Sequence, residues 1–125
     1  MKINLFEETE KIMEEYNLTW GDVLMITCSN NDKGFYMIDI TNFKDIAMET
    51  NYENEDFIDK IPFDLKIHFK NGSRLERYPS SNEPEHWIYI TPENIRNSLG
   101  ILKIKKLVNE FDDFKSVLDL NPIQK

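Results

Sequence analysis

The amino-acid sequence predicts an α+β fold: an antiparallel sheet of about five strands, with an N-terminal helix, a short middle helix and C-terminal helices packed on it. Three observations support this. Apolar residues recur at helical spacing near both ends, the middle holds short apolar runs separated by turn formers, and residues 64–78 (DLKIHFKNGSRLERY) have the pattern of a β-hairpin. The length of 125 residues fits a single domain, 1–125, with one core.

The first element is predicted to be an amphipathic helix over residues 4–16. Asn4 suits the N-cap position, and Glu7 stands three positions later, which gives a pair of the capping-box type. The apolar stripe of this helix consists of Leu5, Ile12, Met13 and Tyr16.

Two strands and a short helix are predicted next. Residues 23–28 are apolar or nearly so without alternation, which is typical of a strand buried on both faces. The turn formers SNNDKG then reverse the chain into a second strand, FYMIDIT. Thr41 is the expected cap of a short helix, NFKDIAMET, whose apolar face consists of Phe43, Ile46 and Ala47.

The following stretch, NYENEDFIDKIP, is predicted to be an exposed acidic loop. It has neither a helical nor a strand period, and it is dense in carboxylates. One of its large apolar residues is expected to pin it to the core: Tyr52, Phe57 or Ile58.

The register of the hairpin follows from the requirement that one of its sides be apolar. A two-residue loop would place His68 opposite Leu75 and mix the two sides. A three-residue loop with Gly72 in the left-handed conformation instead pairs Ile67 with Leu75. This second register is preferred, and it turns a set of apolar side chains toward the core: Leu65, Ile67, Phe69 and Leu75.

The same register accounts for most of the basic residues of the hairpin. Lys66 falls opposite Glu76 as a cross-strand ion pair, and Arg77 ends the apolar side, where its stem can cover the edge of the core. Only Lys70 and Arg74 remain as free charge, which is too little to bind a nucleic acid.

The segment HWIYI is predicted to be the last strand, with helices from there to the end of the chain. Thr91, Pro92 and Glu93 form a typical helix start, and Gly100 is expected to end that helix. From residue 101 onward apolar residues recur at helical spacing: Ile104, Leu107, Val108, Phe111, Phe114 and Leu118.

The net charge of −8 is unevenly distributed along the chain. Residues 1–64 contain 15 acidic and five basic residues, whereas residues 65–125 contain eight acidic and ten basic residues. Direct binding to nucleic acid is therefore not expected, because phosphate contacts require a surplus of positive charge. The acidic half suits either simple solubility or a basic protein partner.

Cellular location is indicated by the N-terminus and by cysteine usage. The start, MKINLFEETEKI, has no apolar signal region, and no run approaches the ~20 apolar residues of a membrane span. The single cysteine, Cys28, lies within an apolar run and is expected to be a small buried residue. We therefore expect a cytoplasmic protein of a bacterial host, with no membrane contact.

No motif for cofactor or metal chemistry is found, so no cofactor is expected. The chain lacks the glycine pattern of a phosphate-binding loop, and its histidines and cysteine are too scattered for a metal site. One catalytic alternative remains, a metal-dependent nuclease built on Asp64 and Glu76. The lysine that such a core places two residues after the glutamate is absent, since that position is Tyr78.

From Trp20 onward the order of motifs resembles a family of small uncharacterised proteins of Gram-positive phages and mobile elements. The resemblance is carried by WGDVLMI, FYMIDITNFKDIAMETNYEN, DLKIHFKNGSRLERY and, more loosely, EPEHWIYI. The Leu-Glu-Arg end of the hairpin matches the family, whereas YPSSNEPEHW and YENEDF lack glycines that the family has there. The resemblance implies a small accessory protein directed at host machinery, and the family has no established activity.

Charge and resemblance together favour a non-enzymatic protein that binds a basic partner. It would inhibit a host nucleic-acid-handling defence enzyme, such as a CRISPR effector, by imitating nucleic acid. The alternatives are an immunity protein that neutralises a bacterial toxin, the nuclease, and a structural or regulatory phage protein. The residues predicted to bind the partner are Glu7, Glu8, Glu14, Glu15, Glu49, Glu53, Glu55, Asp56 and Asp59.

Overall fold

The fold is α+β, as predicted, but its described residues form more strands than expected, and the helices lie at other positions. The computed structural model describes residues 2–30, 33–53, 59–80, 83–90, 98–109 and 115–123. The elements are β1 (Lys2–Asn4), α1 (Leu5–Glu15), a 3-10 turn (Trp20–Asp22), β2 (Val23–Ser29), β3 (Phe35–Ile38), α2 (Ile40–Met48), β4 (Asn51–Glu53), β5 (Lys66–Phe69), β6 (Arg74–Tyr78), β7 (His86–Ile90), β8 (Ser98–Leu102) and α3 (Val117–Leu120).

The main sheet has six strands, in the order β7-β6-β5-β2-β3-β8, rather than about five. Its neighbours are antiparallel except for β3 and β8, which are parallel. Strands β1 and β4 form a separate two-stranded sheet. The additional strand of the main sheet is β8, which lies where the sequence pattern favoured a helix. The two strands of the separate sheet, β1 and β4, were not predicted either, and β4 lies where a loop was expected.

Helix α1 closely follows its prediction, whereas α2 begins earlier than predicted. The Oδ1 atom of Asn4 accepts a hydrogen bond from the N–H of Glu7 at 3.1 Å, as an N-cap should. In α2 the cap is Asp39 rather than Thr41, and its carboxylate accepts from the N–H of Asn42 at 3.0 Å. No helix within the described ranges is long and apolar enough to cross a membrane.

The hairpin has the predicted register. Ile67 pairs with Leu75, Lys66 pairs with Glu76, and Gly72 has a φ of 90°. The turn closes by a hydrogen bond from the N–H of Gly72 to the carbonyl of Phe69 at 2.9 Å. A residue with a Cβ at this φ would be strained, so the three-residue loop depends on glycine here.

The C-terminal prediction is confirmed only at Leu118, which lies in helix α3, and is wrong for residues 98–109. Gly100 does not end a helix; it lies inside strand β8 with a φ of 119°. Ile104 and Leu107 are buried, but they lie in a segment without helix, and α3 covers only Val117–Leu120. The proposed helix start at residues 91–93 and the apolar residues Phe111 and Phe114 lie outside the described residues.

The core lies between the helices and one face of the sheet. Cross-strand partners share a face, so Leu75, Ile67 and Ile26 form a continuous apolar row across β6, β5 and β2. The buried apolar residues that surround this row include Leu5, Met13, Ile38, Phe43, Ala47, Leu65, Phe69, Trp87, Leu102 and Val117.

Strand β2 is buried on both faces only in its second half. Ile26, Thr27 and Cys28 are buried in succession, whereas Leu24 is 52% exposed at an irregularity in the pairing with β5. Cys28 is the buried residue that was predicted. Burial, with a smaller contribution from the charge of Asp64, raises the pKa of its thiol to about 12.

Candidate functional site

The acidic residues predicted to bind a partner differ in their accessibility. Glu8 and Asp59 are partly buried and are bonded within the protein, and Glu55 and Asp56 lie outside the described residues. The remaining predicted residues are exposed: Glu7, Glu14, Glu15, Glu49 and Glu53.

Backbone contacts bring three of these exposed residues to one corner of the molecule. The N–H of Leu5 donates to the carbonyl of Thr50 at 2.9 Å, which joins the start of α1 to the end of α2. Pairing of β1 with β4 adds Glu53, which lies opposite Lys2. We call Glu7, Glu49 and Glu53 the acidic corner.

Asn4 holds the acidic corner together. Besides capping α1, its Nδ2 atom donates to the carbonyl of Met48 at 3.0 Å and to Oδ1 of Asn51 at 3.1 Å. A single side chain thus connects α1, α2 and β4. Glu14 and Glu15 belong to the same helix as Glu7 but lie about 10 Å farther along its axis, since each residue advances a helix by 1.5 Å.

Glu8 belongs instead to a buried cluster around Arg77 on β6. The guanidinium bonds Oε2 of Glu8 at 3.3 Å, Oε1 of Glu85 at 3.0 Å and the hydroxyl oxygen of Tyr52 at 3.2 Å. It also lies 4.8 Å from the ring centroid of Trp87. We call these five residues the Arg77 cluster, and they connect α1, β4, β6 and β7.

The prediction that Arg77 covers the core edge with its stem was wrong, because the whole side chain is buried. Only 2% of its side-chain surface is exposed, and among the described residues its Nε atom has no hydrogen-bond partner. The sequence signal for this burial was the position of Arg77 on the apolar side of the hairpin. A buried arginine in turn requires carboxylate partners. The sequence did not identify Glu8 and Glu85 as those partners.

Electrostatics within the Arg77 cluster favour a charged guanidinium. Burial alone lowers the pKa of Arg77, but the charges of Glu8 and Glu85, together with the interaction with the Tyr52 hydroxyl, outweigh burial and hold this pKa above its usual value. Glu85 also accepts hydrogen bonds from the backbone N–H groups of Lys60 and, at 3.0 Å, Ile61. Burial nevertheless raises the pKa of Glu85, because it outweighs the charge of Arg77 and the hydrogen bonds from Lys60, Ile61 and Arg77, which all lower this pKa.

The contribution of Glu85 to stability is expected to increase as the pH falls through its raised folded-state pKa toward 4.5, the ordinary glutamate pKa. Because burial raises the pKa of Glu85, the folded state binds this proton more tightly than the unfolded state. The stabilisation is complete below the unfolded-state pKa and is lost as the pH rises through the folded-state pKa.

Urea unfolding of the wild type and of Glu85→Gln across this pH range measures the effect. The variant should show a flatter dependence on pH, since it cannot take up the proton. Asp64, whose pKa is also raised by burial, remains in both proteins, so the difference isolates Glu85. Parallel pH profiles would contradict the prediction.

The two carboxylates of the nuclease alternative hold parts of the fold together. Asp64 accepts from the N–H of Val117 at 2.7 Å and from the N–H of Ser29 at 3.2 Å. Glu76 pairs with Arg74 and, at 3.8 Å, with Lys66. Within the described part of the chain, no group of three or more His, Cys, Asp or Glu side chains is arranged to hold a metal ion.

The pairing of Arg74 corrects the prediction that it remains as free charge. Arg74 is only 7% exposed and lies beside Glu76 on its own strand. The polar side of the hairpin is therefore less open than expected. His68, also on that side, is buried, and its Nε2 atom lies 2.9 Å from Oγ1 of Thr27.

A groove of about 260 Å³ lies between α1 and β7, and we call it the α1–β7 groove. Trp87 fixes its inner wall, because its Nε1 atom donates to Oγ1 of Thr9 at 2.9 Å. At the other end of α1, Tyr16 stacks on Tyr89 with ring centroids 4.0 Å apart. The residues that line the groove are Glu8, Lys11, Ile12, Glu15, His86 and Trp87.

The fold and these surfaces describe an α+β protein with an exposed acidic corner and a groove beside an outer strand of its sheet. Comparison of the chain with protein-family models, with curated proteins and with solved structures gave no significant match.

Proposed function

We propose that the protein is a non-enzymatic binding module that engages a basic protein through the acidic corner. The observation that carries the proposal is the convergence of Glu7, Glu49 and Glu53, from three separate elements, on one exposed corner. Like charges brought together in this way repel one another, although Lys2 lies opposite Glu53 and offsets part of the repulsion. A cationic partner surface would remove that repulsion.

The partner that fits best is a host enzyme that handles nucleic acid, such as a CRISPR effector or another defence nuclease. Such enzymes have basic channels for phosphate groups, and carboxylates can occupy them as phosphates do. The net charge of −8 would accelerate encounter with such a channel. The resemblance to proteins of phages and mobile elements supports a host target.

The proposal omits catalysis because the carboxylate pair that the sequence suggested, Asp64 and Glu76, has other roles in the described part of the chain. Asp64 holds the backbone of β2 and α3, and Glu76 neutralises Arg74. Replacing both residues by alanine is expected to destabilise the protein. As long as the variant folds, it should bind the partner as the wild type does.

The test begins with an affinity pull-down from a Gram-positive host lysate and continues with the purified partner. Glu7→Lys/Glu49→Lys is expected to weaken binding by about tenfold at low salt, because each reversal replaces an attraction by a repulsion. A lysine in the first turn of α1, at Glu7, interacts unfavourably with the helix dipole, whereas a lysine at the end of α2, at Glu49, interacts favourably. The effects of the two reversals on stability therefore oppose each other.

Glu83→Lys is the matched control, since Glu83 is exposed in the loop before β7. It should leave the affinity nearly unchanged. Wild-type affinity should also fall steeply between low and high salt. If neither salt nor the double reversal changes the affinity, the proposal fails; if the captured partner is a toxin, the immunity function replaces the anti-defence function.

A further inference from the structure

We infer that the α1–β7 groove takes an extended, basic segment of the partner protein, which adds to the sheet as a strand beside β7. This inference rests on the proposed function, because both require a basic protein partner. It adds a second contact surface, distinct from the acidic corner, and it specifies the conformation of the bound segment.

The first step of the argument is the position of β7 in the sheet. Strand β7 ends the order β7-β6-β5-β2-β3-β8, and within the described ranges it pairs only with β6. An outer strand presents a row of N–H and C=O groups that can pair with another chain. Addition of an extended peptide to such an edge is a common mode of protein recognition.

The second step is the helix that lies beside this strand. Thr9 contacts Trp87, and about two turns later Tyr16 stacks on Tyr89, so α1 and β7 run alongside each other in the same direction. These two contacts fix the helix against the strand. The groove is therefore formed before any partner arrives, which reduces the entropy lost on binding.

The third step is the chemistry of the groove walls. Ile12 and Trp87 provide an apolar surface, while Glu15 is exposed and, in the described part of the chain, forms no ion pair. Glu8 also lines the groove with 16% of its side-chain surface exposed, but its carboxylate is already paired with Arg77, so Glu15 is the carboxylate available to an occupant. Lys11 is the opposing charge on the same wall.

These walls select the occupant. Successive side chains of a strand point to opposite faces, so every second side chain of an added strand would face the groove. An apolar side chain suits the contact with Ile12 and Trp87, and lysine or arginine suits Glu15. A second copy of the chain is disfavoured, because two molecules of net charge −8 repel each other.

The probe is a displayed library of random decapeptides selected against the full-length protein. The selected peptides should carry lysine or arginine at alternate positions between apolar residues. Amide hydrogen exchange should then show protection of alternate residues in 86–90 when a selected peptide is bound. A peptide that bound only to the surface of α1 would leave these amides unchanged.

Two variants of α1 should change the affinity in opposite directions. Glu15→Lys should weaken binding of the selected peptides by about tenfold, and Lys11→Glu should strengthen it several-fold, since each changes the charge of the groove. Glu14→Lys is the matched control, because Glu14 is also exposed in the last turn but does not line the groove. Loss of folding could not produce such opposite effects.

The inference is overturned if selection yields no binders, if bound peptides fail to protect β7, or if Glu15→Lys and Glu14→Lys have equal effects. A dimer in solution with β7 protected would overturn it in favour of a second copy. The two proposals fail separately. Unchanged partner affinity in Glu7→Lys/Glu49→Lys refutes the acidic corner, whereas an unresponsive peptide assay refutes only the groove.

Discussion

Replacement of Arg77 by methionine is expected to lower the free energy of unfolding by about 3–5 kcal/mol. Methionine fills much of the same apolar space, but it removes the cation that compensates Glu8 and Glu85. Glu85 is only 1% exposed and cannot recover the lost interaction from water. Urea denaturation at neutral pH, followed by tryptophan fluorescence, measures the loss.

Two further variants separate lost charge compensation from lost packing. Arg77→Lys keeps the charge but cannot bond two carboxylates and Tyr52 in the fork geometry of a guanidinium, so it should be intermediate. Arg77→Met/Glu85→Gln should be more stable than Arg77→Met alone, because no uncompensated charge remains at position 85. A loss below about 1 kcal/mol for Arg77→Met would contradict a charge-compensating role.

Parts of the fold that depend on neighbouring residues could be predicted from the sequence. The N-cap at Asn4 needs only the next three residues, and the hairpin register needs only the alternation on either side of Gly72. Both predictions are confirmed. The cap of α2 at Asp39 was missed because Thr41, two residues later, has the same chemistry.

In the C-terminal region, the spacing of apolar residues along the sequence does not predict the secondary structure. Apolar residues at helical spacing follow Gly100, yet residues 98–102 form a strand parallel to β3. Parallel pairing joins segments that are far apart in sequence, so no short-range signal marks it. Ile104 and Leu107 are buried although residues 103–109 form no helix.

The candidate site also has features that could be predicted from neighbouring residues and features that depend on tertiary contacts. Exposure of Glu7 and Glu14 follows from the period of α1 and was predictable. The different role of Glu8 was not, because it depends on Arg77, which is 69 residues away in the sequence. The groove likewise requires the placement of α1 beside β7, a tertiary contact that the sequence does not encode locally.

The Arg77 cluster and the α1–β7 groove share Glu8 and Trp87. One carboxylate oxygen of Glu8 accepts from Arg77 and the other accepts from the hydroxyl of Tyr52 at 2.6 Å. The groove wall is therefore anchored to the buried sheet face. Loosening of the cluster would move the wall, and groove variants such as Glu15→Lys avoid this problem because they do not touch the cluster.

Trp87→Ala is expected to lower the free energy of unfolding by about 3–5 kcal/mol, the usual cost of removing a buried aromatic side chain. Trp87 is 3% exposed and packs between α1 and the Arg77 guanidinium. Trp87→Phe keeps a ring at this place but loses the hydrogen bond to Thr9, so it should cost less. Trp20 remains as the fluorescent reporter in both variants.

A double-mutant cycle with Thr9→Val measures how much of the loss in unfolding free energy is due to the hydrogen bond between Trp87 and Thr9. The coupling between Thr9→Val and Trp87→Phe should be about 1 kcal/mol, because each variant alone removes the same bond. Equal losses for Trp87→Phe and Trp87→Ala would show that the ring itself contributes little. In that case α1 would be held beside β7 chiefly by the Arg77 cluster and the stacking of Tyr16 on Tyr89.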